Sequence, residues 1–194
     1  MKLRIGLLAF HGDVIEHIVA IRQAAKKLKI NIETVEVRVK ADLAKLDGLI
    51  IPGGESTNFY KLCEREKMWG KLKQVKSIFG TCAGAIMLAK VIQHKLPDQK
   101  TLALMDIEID RNAYGRQTDS FETKINTLLG KIEAVFIRAP KITKIGKTVK
   151  VLAKIKGETI ACEQKQGKKF YLACCFHPEL TTSLFHEYWL KMLV

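Results

Sequence analysis

The stretch KSIFGTCAGAIMLAK, residues 76–90, decides the fold. A short apolar segment leads through two glycines, on either side of Cys82, into apolar residues at helical spacing. The pattern predicts a buried strand, a tight turn at Cys82 and a helix over residues 83–92. A strand that runs directly into a helix is typical of a βαβ unit, so the segment predicts a parallel sheet covered by helices.

The chain before this stretch has the same alternation. Strand patterns cover residues 3–10, 31–37 and 46–54, and helical patterns cover 13–30, with Asp13 as N-cap, and about 57–75. After residue 100 the pattern changes to strands, at 103–110, 132–139, 147–155, 158–165 and 169–176, before a last helix at 181–193. We therefore expect an α/β fold with a mixed sheet, in which the late strands are antiparallel additions. No repeat or linker divides the chain, which predicts a single domain over residues 1–194.

Composition excludes several classes of protein. The 194 residues are 47% hydrophobic and 27% charged, as in a folded globular protein. No run of about 18 apolar residues predicts a membrane span, and we expect a cytoplasmic protein. The five cysteines are odd in number and form no C-x-x-C pair, which argues against disulfides and against a zinc site. Four of them, Cys63, Cys162, Cys174 and Cys175, are interpreted as small core residues.

The net charge of +13 raises the question of a polyanionic partner. The excess comes from 26 lysines against seven arginines, and the lysines are scattered along the chain. No basic run is interleaved with aromatic residues. The charge therefore indicates solvated surfaces, and we expect no nucleic-acid binding.

Cys82 is the first candidate for chemistry. The order G-x-C-x-G between a strand and a helix is the cysteine form of the nucleophile elbow, in which a turn lifts the sulfur above the sheet edge. The following helix N-terminus favours the thiolate, and the backbone N–H of Ala83 can bind an oxyanion. The alternative is a buried cysteine at a tight turn.

Two other segments complete a possible site. In FHPE, residues 176–179, extended backbone would point His177 and Glu179 to one side, as a base and the group that orients it; the alternative is a strand end with a surface ion pair. In IIPGGEST, residues 50–57, a Gly-Gly turn can aim a peptide N–H into a cleft; the alternative is an ordinary strand-to-helix turn. All three segments follow predicted strands, where open α/β sheets place their sites.

The motifs PGGES, FGTCAG and FHPE, in this order, resemble those of the class I (triad) glutamine amidotransferases. GLLAFHGDVIEH (6–17), DRNAYGRQTDSFE (110–122) and FIRAP (136–140) are similar to the glutaminase subunits of the ribose 5-phosphate-dependent pyridoxal 5′-phosphate synthases. The resemblance covers essentially the whole chain. It implies a three-layer, flavodoxin-like fold with a mixed, mostly parallel sheet and helices on both faces.

The resemblance also implies a function and the residues that carry it. The substrate would be L-glutamine, hydrolysed to glutamate and ammonia, and the partner a pyridoxal 5′-phosphate synthase subunit in a large hetero-oligomer. No metal or cofactor is implied, since pyridoxal 5′-phosphate would be the product of the other subunit. The implied residues are Cys82, His177 and Glu179 as the triad; Gly53, Gly54, Glu55, Arg111, Ile137 and Arg138 around the substrate; and Gly54 with Ala83 as the oxyanion hole.

One departure from the family stands near the N-terminus, where its usual LQG is FHG. His11 occupies the position of the glutamine and, having a donor and an acceptor, is expected to make contacts near the Gly-Gly turn or the partner surface. Two other functions remain open at this point. One is a cysteine hydrolase or amidotransferase subunit serving another pathway, and the other is a non-catalytic basic binding protein.

Overall fold

The computed structural model describes residues 2–111 and 120–194. Twelve strands lie in these ranges: β1 (Lys2–Leu8), β2 (Asn31–Val37), β3 (Gly48–Ile51), β4 (Ser77–Thr81), β5 (Ala89–Gln93), β6 (Met105–Asp110), β7 (Phe121–Thr127), β8 (Gly130–Phe136), β9 (Lys141–Ile145), β10 (Val149–Ile155), β11 (Glu158–Gln166) and β12 (Lys169–Cys174). The α-helices there are α1 (Val14–Leu28), α2 (Ser56–Arg65), α3 (Trp69–Leu72), α4 (Ala83–Leu88) and α5 (Leu184–Lys191), with 3-10 turns at Lys40–Leu43 and Pro178–Leu180.

The sheet is mixed, as predicted. Its parallel part has the order β2-β1-β3-β4-β12, and β11, β10, β7 and β8 continue it with antiparallel pairs. A side branch holds β5 parallel to β6, and β9 antiparallel to both β6 and β11. Of the late strands, β7 to β11 are therefore antiparallel additions, whereas β6 and β12 each have a parallel neighbour, and the parallel part is smaller than the resemblance implies. Short turns join β7 to β8 and β10 through β12, and a turn of that length permits only antiparallel pairing.

Helices cover both faces of the sheet, which can be seen at two adjacent residues of β4. Phe79 packs against His186 and Trp189 of α5 on one face. Gly80 lies against α4 on the other face, where an added Cβ would come within 2.5 Å of the Gly84 backbone. Successive residues of a strand point to opposite faces, so α4 and α5 lie on opposite sides of the sheet.

The core extends through both halves of the chain as one cluster of buried apolar residues. The four cysteines interpreted as core residues are fully buried free thiols, so that interpretation is confirmed. Within the two described ranges, no helix is long and apolar enough to cross a membrane.

The helix predicted over residues 83–92 is wrong in its second half. It ends at Leu88, and the next five residues form β5, which pairs with β6. The β-branched Val91 and Ile92 favour a strand, and pairing with a distant segment overrides the helical spacing. The helix predicted at 57–75 is interrupted between α2 and α3, where Lys67 has a φ of 52°. The strands β7 and β9 are not predicted by the sequence pattern.

Candidate active site

The candidate site lies at the carboxyl edge of the parallel strands. Loops after β1, β3, β4 and β12 meet there, because these four strands are neighbours in register. Thr81, the last residue of β4, stands opposite Cys174, the last residue of β12. The edge therefore brings together the segments around Asp13, Gly53, Cys82 and His177, which are far apart in the sequence.

Cys82 forms the turn between β4 and α4, as the elbow pattern predicts. Its φ of 48° and ψ of −105° are unusual for a residue with a side chain. Backbone in such a region costs on the order of 1–3 kcal/mol and persists where the surroundings enforce it. Here the Cys82 N–H donates to the Cys174 carbonyl at 2.8 Å, and the Cys82 carbonyl accepts from Ile86 N–H at 3.3 Å.

The two glycines of the elbow allow helix and strands to approach closely. A Cβ on Gly80 would lie 2.5 Å from the Gly84 backbone, and a Cβ on Gly84 would lie 2.0 Å from the Ile51 carbonyl oxygen. Both contacts are with backbone, which cannot move aside as the end of a side chain can. The glycines are therefore required at this turn, as the sequence pattern predicts.

His177 and Glu179 form a buried pair just after β12. The Nδ1 atom of His177 lies 2.8 Å from Oε1 of Glu179, and their side chains are 4% and 0% exposed. The backbone that joins them is a 3-10 turn rather than the extended segment predicted. Pro178 favours this turn because its ring fixes φ near the helical value at the first position.

Cys82 and His177 are neighbours at this edge, since Cys82 is close enough to raise the pKa of the His177 imidazole. The Cys82 sulfur lies 3.8 Å from the Ile137 carbonyl oxygen, to which a thiol S–H can donate. The Nε2 atom of His177 is buried and has no hydrogen-bond partner in the described part of the chain. Since the Nδ1–H is directed at carboxylate, Nε2 is the atom that can exchange a proton with Cys82.

A second histidine, His17 of α1, holds Glu179 from behind. Its Nε2 atom lies 3.4 Å from Glu179 Oε1 and 3.0 Å from Thr81 Oγ1, and its Nδ1 atom lies 2.9 Å from His186 Nε2. An ionised carboxylate only accepts, so His17 carries its proton on Nε2, which hydrogen-bonds with Thr81 Oγ1 and lies at ion-pair distance from Glu179. The His186 Nε2–H then donates to His17 Nδ1, which fixes the tautomers of both histidines.

Burial and the contacts with neighbouring side chains together set the pKa values of these groups. Burial raises the pKa of Glu179, but His17 and His177 lower it by more, so the net pKa lies below its ordinary value. Burial and the nearby His17 lower the pKa of His186 to about 3, so this fully buried histidine is neutral. Among the buried side chains behind Cys82, the negative charge is therefore on Glu179.

Asp13 is a residue of the site that the sequence analysis takes only as an N-cap. It does occupy that position in α1, but its side chain makes no capping hydrogen bond. Its Oδ2 atom lies 3.0 Å from His177 Nδ1 instead. A metal ion could be held here, since ligand atoms of Asp13, His177 and Glu179 lie within 4.8 Å of one another. However, both carboxylates already have a partner in the protonated Nδ1 of His177.

The Gly-Gly turn after β3 lies against the same group of residues. A Cβ on Gly53 would meet the His177 ring at 2.3 Å, and a Cβ on Gly54, which has a φ of 133°, would meet His11 Nδ1 at 2.5 Å. The Gly53 carbonyl faces the loop after β1, where a Cβ on Gly12 would lie 1.9 Å from its oxygen. His11 therefore lies beside the Gly-Gly turn, as expected for it.

Ala83 supplies the other predicted oxyanion donor. It is the first residue of α4, directly after Cys82. The first N–H groups of a helix have no acceptor within the helix, so the Ala83 N–H is available next to the sulfur.

Glu55 and Arg111 are brought together, on the outer side of the Gly-Gly turn. Glu55 is the N-cap of α2 and accepts from the N–H groups of Thr57 and Asn58 at 3.1 and 2.8 Å. Arg111 donates to Glu55 at 3.1 Å, to Thr57 Oγ1 at 3.1 Å and to Gln99. Burial raises the pKa of Glu55, but these N–H donors and Arg111 bring it below its ordinary value.

Ile137 and Arg138 follow β8 and are both exposed. Ile137 reaches the site through its backbone, since its carbonyl is the one that faces Cys82. Arg138 has a φ of 45°, in the left-handed region that residues with side chains rarely adopt. The segment DRNAYGRQTDSFE is described only at its ends; residues 112–119, with Arg116, lie outside the described residues.

Known proteins with this sequence pattern share its length and fold. A family model described as the SNO glutamine amidotransferase family matches residues 7–194. Proteins named pyridoxal 5′-phosphate synthase subunit PdxT are 42% identical in Oenococcus oeni, covering 99% of this chain and 97% of the relative, and 45% identical in Dictyoglomus turgidum, covering 97% and 98%. A solved structure described as "Crystal structure of glutamine amidotransferase" is 40% identical with a TM-score of 0.82, covering 97% of this chain and 98% of that one, which confirms the predicted fold class. The chain therefore belongs to the SNO glutamine amidotransferase family.

Proposed function

We propose that this chain is the glutaminase subunit of a pyridoxal 5′-phosphate synthase. It hydrolyses L-glutamine to L-glutamate and ammonia through Cys82, His177 and Glu179, and delivers the ammonia to a synthase subunit. One observation carries the proposal: a cysteine on a strained elbow faces the free Nε2 of a histidine whose Nδ1 is held 2.8 Å from a buried carboxylate. The names of the relatives supply the pathway.

The first half of the reaction breaks the amide bond. The Cys82 thiol gives its proton to His177 Nε2, and the thiolate attacks the side-chain amide carbon of glutamine. The carbonyl electron pair becomes an oxyanion, which the N–H groups of Gly54 and Ala83 would bind. As the carbonyl re-forms, the C–N bond breaks, the nitrogen takes the proton from His177, and ammonia leaves behind a glutamyl thioester on Cys82.

The second half regenerates the thiol. A water molecule gives a proton to His177 Nε2 and adds to the thioester carbonyl, and the same N–H groups bind the new oxyanion. Collapse expels the Cys82 sulfur, which regains its proton from His177, and glutamate is released. Glu179 keeps Nδ1 protonated throughout, so that Nε2 alone exchanges protons.

Charge complementarity supports a free amino acid as substrate. Its α-carboxylate needs a cation and its α-ammonium an anion, and the rim of the site offers Arg111 beside Glu55. Arginine suits a carboxylate because its guanidinium donates two parallel hydrogen bonds. We propose that Arg138 and Ile137, which follow β8, contact the substrate on its other side.

The synthase partner follows from the fate of ammonia. In water at neutral pH ammonia is protonated and loses its nucleophilicity, so it must pass directly to the subunit that uses it. We therefore propose a cytoplasmic hetero-oligomer, in which the chain acts as one domain and needs no metal or cofactor of its own. The five free thiols are typical of a reducing compartment.

Substitution of the nucleophile tests the proposal. Cys82→Ala should lower glutamine turnover by about 10⁶-fold, because no other group can form the thioester. Ammonia release is measured with and without the synthase subunit. A diazo-ketone analogue of glutamine should label one cysteine of the unmodified chain, identified by peptide mass. Labelling of any cysteine other than Cys82, or full turnover by Cys82→Ala, would overturn the assignment.

Cys63→Ala is the matched control. Cys63 is a fully buried thiol on α2, and burial raises its pKa to about 12, so it is no nucleophile. Its substitution should cost stability through lost packing and leave turnover and labelling unchanged.

A further inference from the structure

We propose that Asp13 is a positioning residue for His177: its carboxylate shares the Nδ1–H with Glu179 and helps to keep His177 protonated after it has taken the Cys82 proton. The inference rests on the proposed glutaminase function and adds a fourth residue to its triad. Glu179 is the partner that the sequence motif predicts, whereas Asp13 comes from the opposite end of the chain.

The geometry places two carboxylates on one imidazole nitrogen. His177 Nδ1 lies 2.8 Å from Glu179 Oε1 and 3.0 Å from Asp13 Oδ2. The Nδ1–H donates to Glu179, and Asp13 lies at ion-pair distance from the same nitrogen, so both interactions strengthen when the ring becomes charged. The imidazolium that forms during attack is therefore flanked by two negative charges rather than one.

The start of α1 provides an independent argument. Aspartate at an N-cap position ordinarily accepts a hydrogen bond from the backbone N–H two or three residues later. Asp13 stands at that position and makes no such bond, because its carboxylate is turned towards His177. Helix capping therefore does not account for an acidic side chain here, and the contact with His177 does.

The two carboxylates have different surroundings. Glu179 has no exposed side-chain surface and also pairs with His17, so its removal takes the carboxylate away from a second buried histidine. The Asp13 side chain is 31% exposed and makes its ion pair with His177 alone among the described residues. Asp13 can therefore be changed without burying an unpaired group, which makes its effect on His177 measurable.

The charged groups around His177 determine the direction of the effect. Glu179 faces it from its own turn, Cys82 from the elbow and Asp13 from the loop after β1, while His17 of α1 reaches only Glu179. Burial lowers the pKa of His177, but the neighbouring Asp13, Cys82 and Glu179 raise it by more, so the net pKa is above the ordinary value. Removing the Asp13 charge lowers this pKa, and protonated His177 is then lost at a lower pH.

The test is the pH dependence of turnover in the full chain with its synthase subunit saturating. In Asp13→Asn and Asp13→Ser, the alkaline limb of kcat should move to lower pH by about one unit, with KM little changed. Serine retains a capping group, so it separates the charge from the start of the helix. Asp13→Glu should keep the limb near its wild-type position. Glu16→Gln removes an exposed charge from the first turn of the same helix and should change nothing.

Iodoacetamide alkylation gives a second readout in the free chain. Alkylation of Cys82 below pH 7, followed by peptide mass, reports the thiolate that is paired with protonated His177, and it should decrease in Asp13→Asn. An unmoved alkaline limb, or a loss of activity that is equal at every pH, would overturn the role of Asp13. That failure differs from failure of the glutaminase proposal, in which Cys82→Ala would retain turnover.

Discussion

Two regions at the same sheet edge differ in burial and in how their charges are compensated. The proposed catalytic cluster consists of Cys82, His177, Glu179 and His17, and each is at most 8% exposed. The proposed substrate rim consists of Glu55, Arg111, Ile137 and Arg138, and it includes exposed and half-exposed side chains. The cluster is held by buried hydrogen bonds that exist before any ligand arrives. The rim charges pair with each other and can exchange those partners for the substrate, so chemistry and binding should respond to different substitutions.

After replacement of the nucleophile itself, the largest effect should follow loss of the Glu179 charge. Glu179→Gln replaces the acceptor of His177 Nδ1 and His17 Nε2 by an amide, whose N–H₂ can face the histidine and favour the wrong tautomer. We expect kcat to fall by about 10⁴-fold with KM little changed. Both constants are measured from ammonia release with the synthase subunit present.

Glu133→Gln is the control for this substitution, since it removes an exposed carboxylate from β8. A rise in KM at unchanged kcat in Glu179→Gln would contradict the division between the cluster and the rim.

Arg111→Lys should have the opposite signature. Lysine keeps the charge but cannot reach Glu55, Thr57 and Gln99 at once, as the guanidinium does. Loss of one charged hydrogen bond costs about 1.5–3 kcal/mol, so KM should rise by roughly ten- to a hundredfold while kcat stays within a few-fold. Arg65→Lys on the exposed side of α2 is the matched control. A fall in kcat alone would assign Arg111 to the chemistry instead.

The cluster should also be visible in acid stability. Since the pKa of Glu179 is lower in the folded chain than in the unfolded one, its contribution is present above the unfolded value and is lost as pH falls towards the folded value. Below about pH 4.5, the unfolded chain binds a proton that the folded chain does not. The free energy of unfolding should then decrease by up to about 1.4 kcal/mol per pH unit from this group alone.

Denaturant unfolding at pH 5, 4 and 3 measures this slope. Glu179→Gln should be less stable at neutral pH and show a shallower acid slope than the wild type. Parallel slopes in the two proteins would mean that Glu179 is not held ionised by its histidines.

The same comparison shows how far sequence analysis extends. The elbow at Cys82 is predictable because two local glycines, a strand and a helix specify it within a few residues. The His177–Glu179 pair is predictable because its members are two residues apart, although Pro178 places them in a turn. Both features depend on backbone geometry over a few residues. Features that depend on contacts between distant segments cannot be predicted in this way.

His17, His186 and Asp13 illustrate the failure. His17 meets His186 across 169 positions of sequence, through packing of α1 on α5. The helical period of α1 places His17 on a buried face but does not show what lies opposite it. Asp13 conforms to a capping pattern, and only the tertiary contact shows that its carboxylate is used elsewhere. The strand β5 is not predicted for the same reason, since its pairing with β6 outweighs its local helical pattern.

The smallest effect is expected at His11, which lies between the cluster and the rim. Its ring stacks on Phe59, with centroids 4.1 Å apart, and lies against Gly54. Its buried Nε2 has no partner among the described residues. His11→Gln keeps a donor and an acceptor and should retain activity, whereas His11→Ala loses the aromatic contact. A contact of this kind is worth about 0.5–1.5 kcal/mol, so partner-stimulated turnover should fall by roughly two- to tenfold.

The pH dependence separates a contact made by neutral His11 from simple packing. Burial lowers the pKa of His11 more than the nearby Glu55 raises it, so the ring gains its proton in more acidic solution than an ordinary histidine does. The turnover ratio of wild type to His11→Gln should therefore stay constant at neutral pH and decrease in acidic solution, because glutamine does not titrate. His11→Ala should show its reduced turnover at every pH while its Cys82 still reacts with the diazo-ketone. If His11→Ala instead matches the wild type throughout, the ring only fills space beside the Gly-Gly turn.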